Sequence, residues 1–148
     1  MRKLWRMNEA DVIRQILTHA RTIAVVGLSP NPGRASHDVA STMQSRGYRI
    51  IPVNPVTDAT EILGEKVYPS LKAAAQEHTI EVVNCFRKSQ DIPPIVEEAI
   101  AIGAKAVWMQ QGIAHREAAK RATTAGLRVV QNKCIKTAHT VLSARGVI

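Results

Sequence analysis

Only two of the 148 residues are cysteines, Cys85 and Cys134, and they stand far apart in the chain. This content excludes a disulfide framework and is typical of a protein in a reducing cytosol. Both cysteines are expected to be small buried hydrophobic residues. No apolar run approaches the roughly 20 residues of a membrane-spanning helix, and none follows the basic start as in a signal peptide. We therefore expect a cytoplasmic protein with no membrane partner.

Aromatic residues are also scarce, and they form no interleaved row on which bases would stack. Lys and Arg number 20 against 12 Asp and Glu, a formal net charge of +8 that favours an anionic partner. The basic residues are scattered, so we do not expect that partner to be a nucleic acid. The five aromatic residues are Trp5, Tyr48, Tyr68, Phe86 and Trp108.

The sequence also lacks a recognisable catalytic or metal-binding cluster. Its five histidines show no metal-ligand spacing. His37 and Asp38 are adjacent, but neighbours in a helix point to different faces and make no dyad. No nucleophile lies in a pattern that pairs it with a base. We predict no catalytic residue and no metal site.

Apolar strand-like runs and amphipathic helix-like runs alternate along the chain. The runs at 22–28 and 80–86 show no polar alternation, which is typical of parallel strands covered on both faces. The pattern predicts one domain over 1–148 with an α/β, Rossmann-like fold: a doubly wound, five-stranded parallel sheet of order 3-2-1-4-5, with helices on both faces. The five strands are expected at 22–28, 49–53, 80–86, 104–109 and 127–130.

Three polar residues are placed to begin helices. Asn8 is expected to cap the first helix and Ser36 the second, and Pro69 and Ser70 indicate the start of the short third helix. Between the second strand and that third helix, residues 54–69 contain turn-forming residues and no periodic pattern, so they are predicted to be an irregular loop.

The turn between the first strand and the second helix carries the strongest chemical signal. Such a junction directs backbone N–H groups and the positive end of a helix dipole at one point, where a phosphate binds. Gly27 permits the tight turn, and hydroxyl and amide side chains add donors beside a cationic arginine. The predicted anion-binding residues are Gly27, Leu28, Ser29, Asn31, Arg34 and Ser36.

This turn departs from the dinucleotide fingerprint G-x-G-x-x-G, because Ser29 and Pro32 stand where its second and third glycines belong. The second strand ends in Val53, Asn54 and Pro55, where an NAD site usually has an acidic residue for the ribose hydroxyls. Both departures argue against NAD. An NAD(P)-binding oxidoreductase or redox-sensing protein remains the alternative, because the predicted fold permits it.

Two further loops are expected at the same crevice, which lies at the carboxyl ends of the strands where the strand order switches between the first and fourth strands. One follows Phe86 and begins with Arg87, whose charge is placed to neutralise a ligand. The other follows Met109. These loops converge with the turns at Gly27 and Asn54.

Four segments together carry a resemblance to a known family. VVGLSPNPGRASHDVA, PVNP, NCFRKSQDIPPIVEEAI and WMQQGI occur in this order and resemble the CoA-binding domain family, including its small stand-alone members. The likeness runs from about Arg21 to His139. That family has a Rossmann-like sheet, which also occurs in the alpha subunit of succinyl-CoA synthetase and in related acyl-CoA synthetases.

The resemblance implies coenzyme A or an acyl-CoA as the ligand. Its diphosphate would be held by the turn and helix start at 27–36. Adenine and ribose would lie near 53–55, and the pantetheine arm would pass the loop at 84–87 toward 109–110.

The resemblance also bears on catalysis. The synthetases use a phosphorylated histidine from a further domain and a partner subunit that holds nucleotide, and neither fits within this chain. Lys133 precedes Cys134 where the small members usually have an arginine. We therefore expect a non-catalytic carrier, sensor or accessory protein. Whether it forms a homodimer stays open at this point.

Overall fold

The computed structural model describes residues 7 to 148. Five of its strands form one parallel sheet in the order β2-β1-β5-β6-β7, which confirms the predicted α/β, Rossmann-like class. In chain order the elements are α1 (Glu9–His19), β1 (Thr22–Val26), α2 (Ala35–Ser45), β2 (Arg49–Val53), β3 (Glu61–Ile62), β4 (Glu65–Lys66), α3 (Leu71–Ala75), β5 (Val82–Cys85), α4 (Ile92–Ala101), β6 (Ala106–Met109), α5 (Arg116–Thr124), β7 (Arg128–Val130) and α6 (Ile135–Ala144).

In the sheet, β1 lies between β2 on one side and β5 on the other. A single parallel bridge between Val53 and Tyr68 adds a position to the sheet outside β2. When the positions are numbered in chain order, Tyr68, β2, β1, β5 and β6 lie side by side in the order 3-2-1-4-5. The expectation that the run at 80–86 takes the third position is wrong. Tyr68 occupies the position outside β2. The chain then passes through α3 to β5, which pairs with β1 on its other side.

Helices cover both faces of the sheet because side chains alternate along its strands. Ala24 and Val26 of β1 lie in a core cluster with buried residues of α3, α4 and α5. Ile23 and Val25 face the other way and join a cluster with buried residues of α1, α2 and α6. Within residues 7–148, no helix is both long enough and apolar enough to cross a bilayer.

The predicted cap at Asn8 is confirmed, and Ser70 caps the short helix whose start it was predicted to indicate. The Asn8 side chain accepts a hydrogen bond from the Asp11 N–H at 2.8 Å. The Ser70 hydroxyl oxygen accepts one from the Ala73 N–H at 3.0 Å. Each satisfies a backbone donor that the first turn of its helix leaves without a partner.

The segment at 54–69 is not wholly irregular, because β3 and β4 form a small antiparallel hairpin within it. Its two turn residues, Leu63 and Gly64, have φ angles of +54° and +77°, as a type I′ turn requires. An ion pair joins the Arg49 Nε to the Glu65 Oε2 at 3.2 Å and connects the hairpin to β2. The hairpin therefore closes the outer side of the sheet beside β2.

Candidate functional site

Gly27 is the point at which three strand ends meet. Its N–H donates to the Val53 carbonyl at 2.8 Å, and the Phe86 N–H donates to the Val26 carbonyl at 2.9 Å. Its φ is +90°, and a Cβ built here would lie 2.7 Å from the Phe86 carbonyl oxygen. Only glycine fits both the left-handed backbone and the close approach. The loops after β1, β2 and β5 are thereby held against one another.

The loop from Leu28 to Arg34 is shaped by its own polar side chains. Leu28 is fully buried and anchors the loop on the core. The Ser29 hydroxyl accepts from the Asn31 N–H at 3.1 Å, and the Asn31 side-chain oxygen accepts from the Gly33 N–H at 2.8 Å. These oxygens therefore fix the loop, while the Ser29 hydroxyl hydrogen and the Asn31 amide hydrogens remain available to donate to a ligand.

Ser36 has a different structural role from the predicted one. It is not the N-cap of α2, because that helix begins at Ala35 and Arg34 holds the cap position without a side-chain hydrogen bond. The buried Ser36 hydroxyl instead accepts from the Ser29 N–H at 3.0 Å. The Ser36 hydroxyl therefore satisfies a backbone donor of the loop and does not cap α2, although serine is a favoured N-cap residue.

The start of α2 presents backbone donors without acceptors in the helix. The N–H groups of Ala35 and Ser36 have no carbonyl four residues earlier within α2, as at the start of any helix. The positive end of the helix dipole lies at the same place, and the exposed Arg34 adds a full charge. This combination suits an anion such as a phosphate.

At the end of β2, Asn54 connects two loops. Its Nδ2 donates to the Leu28 carbonyl at 2.9 Å, and its Oδ1 accepts from the N–H groups of Val56 at 2.9 Å and Thr57 at 3.2 Å. Val53 is buried beneath it and Pro55 is exposed. The position that carries a ribose-binding carboxylate in NAD sites thus holds an amide whose oxygen is occupied by the protein.

The remaining predicted residues divide between the two faces of the sheet. Phe86 packs with Leu28 in the cluster under α2 and α6, and its side chain is half-buried. The Arg87 guanidinium lies 3.5 Å from the Asp91 carboxylate. Met109 is fully buried in the opposite cluster with Val53, so its side chain is part of the core.

Two buried polar side chains at this end of the sheet lie within the ranges 84–87 and 109–110 that the resemblance assigns to the pantetheine arm, but neither was among the predicted binding residues. Asn84 is 1% exposed, and its Oδ1 is the one buried side-chain polar atom of residues 7–148 without a hydrogen-bond partner. Gln110 is 3% exposed, and its Oε1 accepts from the Ile135 N–H at 3.0 Å. The signal for Asn84 was an amide inside the apolar run VVNCF, since such a group is costly to bury without a partner.

The comparisons with known proteins agree in family and fold. A family described as the CoA binding domain matches residues 21–140. An uncharacterized protein of Bacillus subtilis, YneT, is 44% identical over 129 residues, which cover 87% of this chain and 93% of YneT.

Among solved structures, a hypothetical protein from Pyrococcus horikoshii is 40% identical, with a TM-score of 0.85 and 95% of each chain covered. A dinucleotide-forming acetyl-coenzyme A synthetase from Ca. Korarchaeum cryptofilum is 23% identical. Its TM-score is 0.66, and the alignment covers 78% of this chain and 26% of the synthetase, so it shows a common fold. By the extent of the family match, the chain belongs to the CoA-binding domain family.

Proposed function

We propose that this chain binds coenzyme A or an acyl-CoA at the carboxyl ends of β1, β2 and β5. The observation that carries the proposal is the junction at 27–36, where a loop with no acidic residue leads into the unpaired donors of α2. A diphosphate supplies the negative charge and the acceptors that these groups lack. The family match covers this junction and the loops beside it.

The proposed ligand lies with its diphosphate against Ser29, Asn31 and the first turn of α2. Its adenosine end lies by Asn54 and Pro55, where the amide replaces the acid of an NAD site. The cations Arg34 and Arg87 are available for the 3′-phosphate that distinguishes CoA from NAD. The Arg87 guanidinium lies 3.5 Å from the Asp91 carboxylate, so a phosphate bound there would share Arg87 with Asp91.

The pantetheine arm is proposed to leave along Phe86, on the face of the sheet that α2 and α6 cover. Phe86 offers a half-buried apolar surface there. Met109 and Val53 support the site from the core and do not contact the ligand through their side chains. We also propose that residues 1–148 form a single CoA-binding unit, acting as a carrier, sensor or accessory protein.

Calorimetric titration with CoA, dephospho-CoA and NADH tests this function. CoA is expected to bind tightest, dephospho-CoA about tenfold more weakly, and NADH most weakly. The CoA advantage should narrow as salt rises, because solvent-exposed charges are screened. Equal affinity for CoA and dephospho-CoA would remove the 3′-phosphate contact. Tightest binding of NADH would favour the oxidoreductase alternative, and no binding of CoA would end the proposal.

A further inference from the structure

Cys134 lies at the same end of the sheet as the proposed CoA site. It precedes the first residue of α6 and holds the N-cap position. The adjacent Lys133 is bound to β6 twice: its N–H donates to the Met109 carbonyl at 3.2 Å, and its carbonyl accepts from the Trp108 Nε1 at 2.8 Å. Cys134 is therefore fixed against the carboxyl end of β6. It is half-buried, so the expectation of two fully buried cysteines holds only for Cys85.

The surroundings of the Cys134 sulfur favour its thiolate. Burial raises the pKa of the thiol. Hydrogen bonds with the backbone and hydroxyl of Thr137, the Gln110 side chain and the Lys136 backbone together lower that pKa by more than burial raises it, so the pKa is below its ordinary value. Cys85 is the opposite case, since burial alone raises its pKa to about 12. The two thiols are therefore expected to differ strongly in reactivity.

An independent observation points to a ligand at this end of the sheet. Asn84, whose buried Oδ1 has no hydrogen-bond partner, is the register partner of Trp108 across the β5–β6 pair. Asn84 shares the face of Val82 and Phe86, because side chains alternate along a strand, and that face packs against α6. The buried oxygen is thus directed to the layer that Trp108 and the start of α6 also occupy. It is an acceptor that lacks a donor.

A cavity provides access to the thiol. Its volume is about 310 Å³, and it opens where the chain turns from β7 into α6. The cavity leaves the solvent side of the sulfur open, whereas a thiol-terminated chain that passes Phe86 and Asn84, which do not line the cavity, would approach the sulfur from the sheet side. The residues lining the cavity are Gln111, Asn132, Lys133, Cys134, Thr137 and Ala138.

We propose that Cys134 is a thiol–disulfide exchange site that takes up coenzyme A from its disulfide. This inference rests on the proposed function, because the bound nucleotide brings the pantetheine sulfur to this end of the sheet. The Asn84 Oδ1 accepts an N–H of a pantetheine amide, which supplies the missing donor.

The step is an exchange and needs no further oxidant. The Cys134 thiolate attacks one sulfur of the symmetrical CoA disulfide, and a new S–S bond forms between the protein and one CoA as the old S–S bond breaks. The second CoA leaves as a thiolate and takes up the proton that Cys134 has lost. One disulfide is consumed and one is formed.

The test compares two disulfides at equal concentration by intact-protein mass spectrometry over time. The CoA disulfide is expected to add one CoA moiety at least tenfold faster than pantethine, the disulfide of pantetheine without the nucleotide. Dithiothreitol should remove the adduct, and peptide mapping should place it on Cys134. Cys134→Ser should abolish it, and Cys85→Ser serves as the matched control that keeps it. If Cys85→Ser does not fold, mapping of the wild-type adduct replaces that control.

Three outcomes would overturn the inference: equal rates with both disulfides, an adduct on Cys85, or no adduct. Titration of the wild-type protein with reduced CoA separates this failure from failure of the proposed function. Binding of reduced CoA without an adduct removes only the exchange site. Absence of CoA binding removes the proposed function, and the exchange site with it.

Discussion

The backbone donors at the amino ends of the strands, here called the amino edge, and those at the carboxyl ends, the carboxyl edge, differ in their acceptors. At the amino edge, the Glu81 carboxylate accepts from the N–H groups of Arg21 at 2.8 Å and Thr22 at 3.0 Å, so the protein satisfies these donors itself. At the carboxyl edge, residues 27–36 contain no carboxylate, and the first N–H groups of α2 have no acceptor within the helix. The amino edge therefore supplies an acceptor for its backbone donors. The carboxyl edge leaves the donors at the start of α2 without an acceptor in the helix, as the proposed anion site requires.

The largest effect is expected from Gly27→Ala at the carboxyl edge. The new Cβ would meet the Phe86 carbonyl, and alanine would be strained in the left-handed backbone that Gly27 already adopts, so the free energy of unfolding should fall by about 2 kcal/mol or more. Urea denaturation measures this change. Gly126→Ala is the matched control, because Gly126 has a φ of +94° but open space around its Cβ, and it should cost about 1 kcal/mol. An equal decrease in the free energy of unfolding in both variants would show that the clash with the Phe86 carbonyl does not contribute.

Ser29→Asp places a carboxylate where the diphosphate is proposed to lie. CoA affinity should fall at least tenfold, or about 1.4 kcal/mol, because the added charge repels the ligand. Ser29→Asn is the control, since it changes the side chain without adding charge, and it should weaken binding less. Calorimetry on the folded variants measures both. An unchanged affinity for Ser29→Asp would move the diphosphate away from this loop.

The amino edge should respond in stability rather than in binding. Glu81→Ala removes the acceptor of two N–H groups and is expected to lower the free energy of unfolding by about 1 kcal/mol, with water replacing part of the loss. Glu81→Gln keeps an acceptor oxygen and should lose less. CoA affinity should be the same for both variants and the wild type. A weaker CoA affinity in either variant would place the ligand at the amino edge and contradict the proposed site.

The smallest effect concerns His139 on α6. Burial lowers its pKa, and the Arg46 guanidinium, 3.1 Å away, lowers it further. As pH falls below about 6.5, the unfolded chain binds this proton before the folded chain does, so stability should decrease. His139→Gln should remove this part of the pH dependence in thermal unfolding between pH 7 and 5. An identical pH profile in the variant would exclude His139 as its source.

The sequence predicted the regular elements well, because local patterns determine them. β2 was placed at its observed residues, and the caps at Asn8 and Ser70 follow from side chains that act within one turn. The position of the run at 80–86 was wrong, because a local pattern does not encode which neighbour a strand pairs with. The hairpin of β3 and β4 was missed because two-residue strands are too short to show alternation.

The predicted site is less complete for a related physical reason. A residue type indicates a donor or an acceptor, but not which partner takes it. Ser36 and Asn54 look like free polar groups in the sequence, yet their oxygens hold neighbouring loops in place. Conversely, Asn84 and Cys134 gain their character from surroundings that form only on folding.

The most direct test of the contrast between the edges is an NMR titration of the isotope-labelled protein with CoA, following each backbone amide. The largest shifts are expected for Gly27, Ser29, and the first residues of α2 at 35–36, with little change at Arg21 and Thr22. Shifts confined to the amino edge, or no shifts at saturating CoA, would contradict an anion site at the carboxyl ends of the strands.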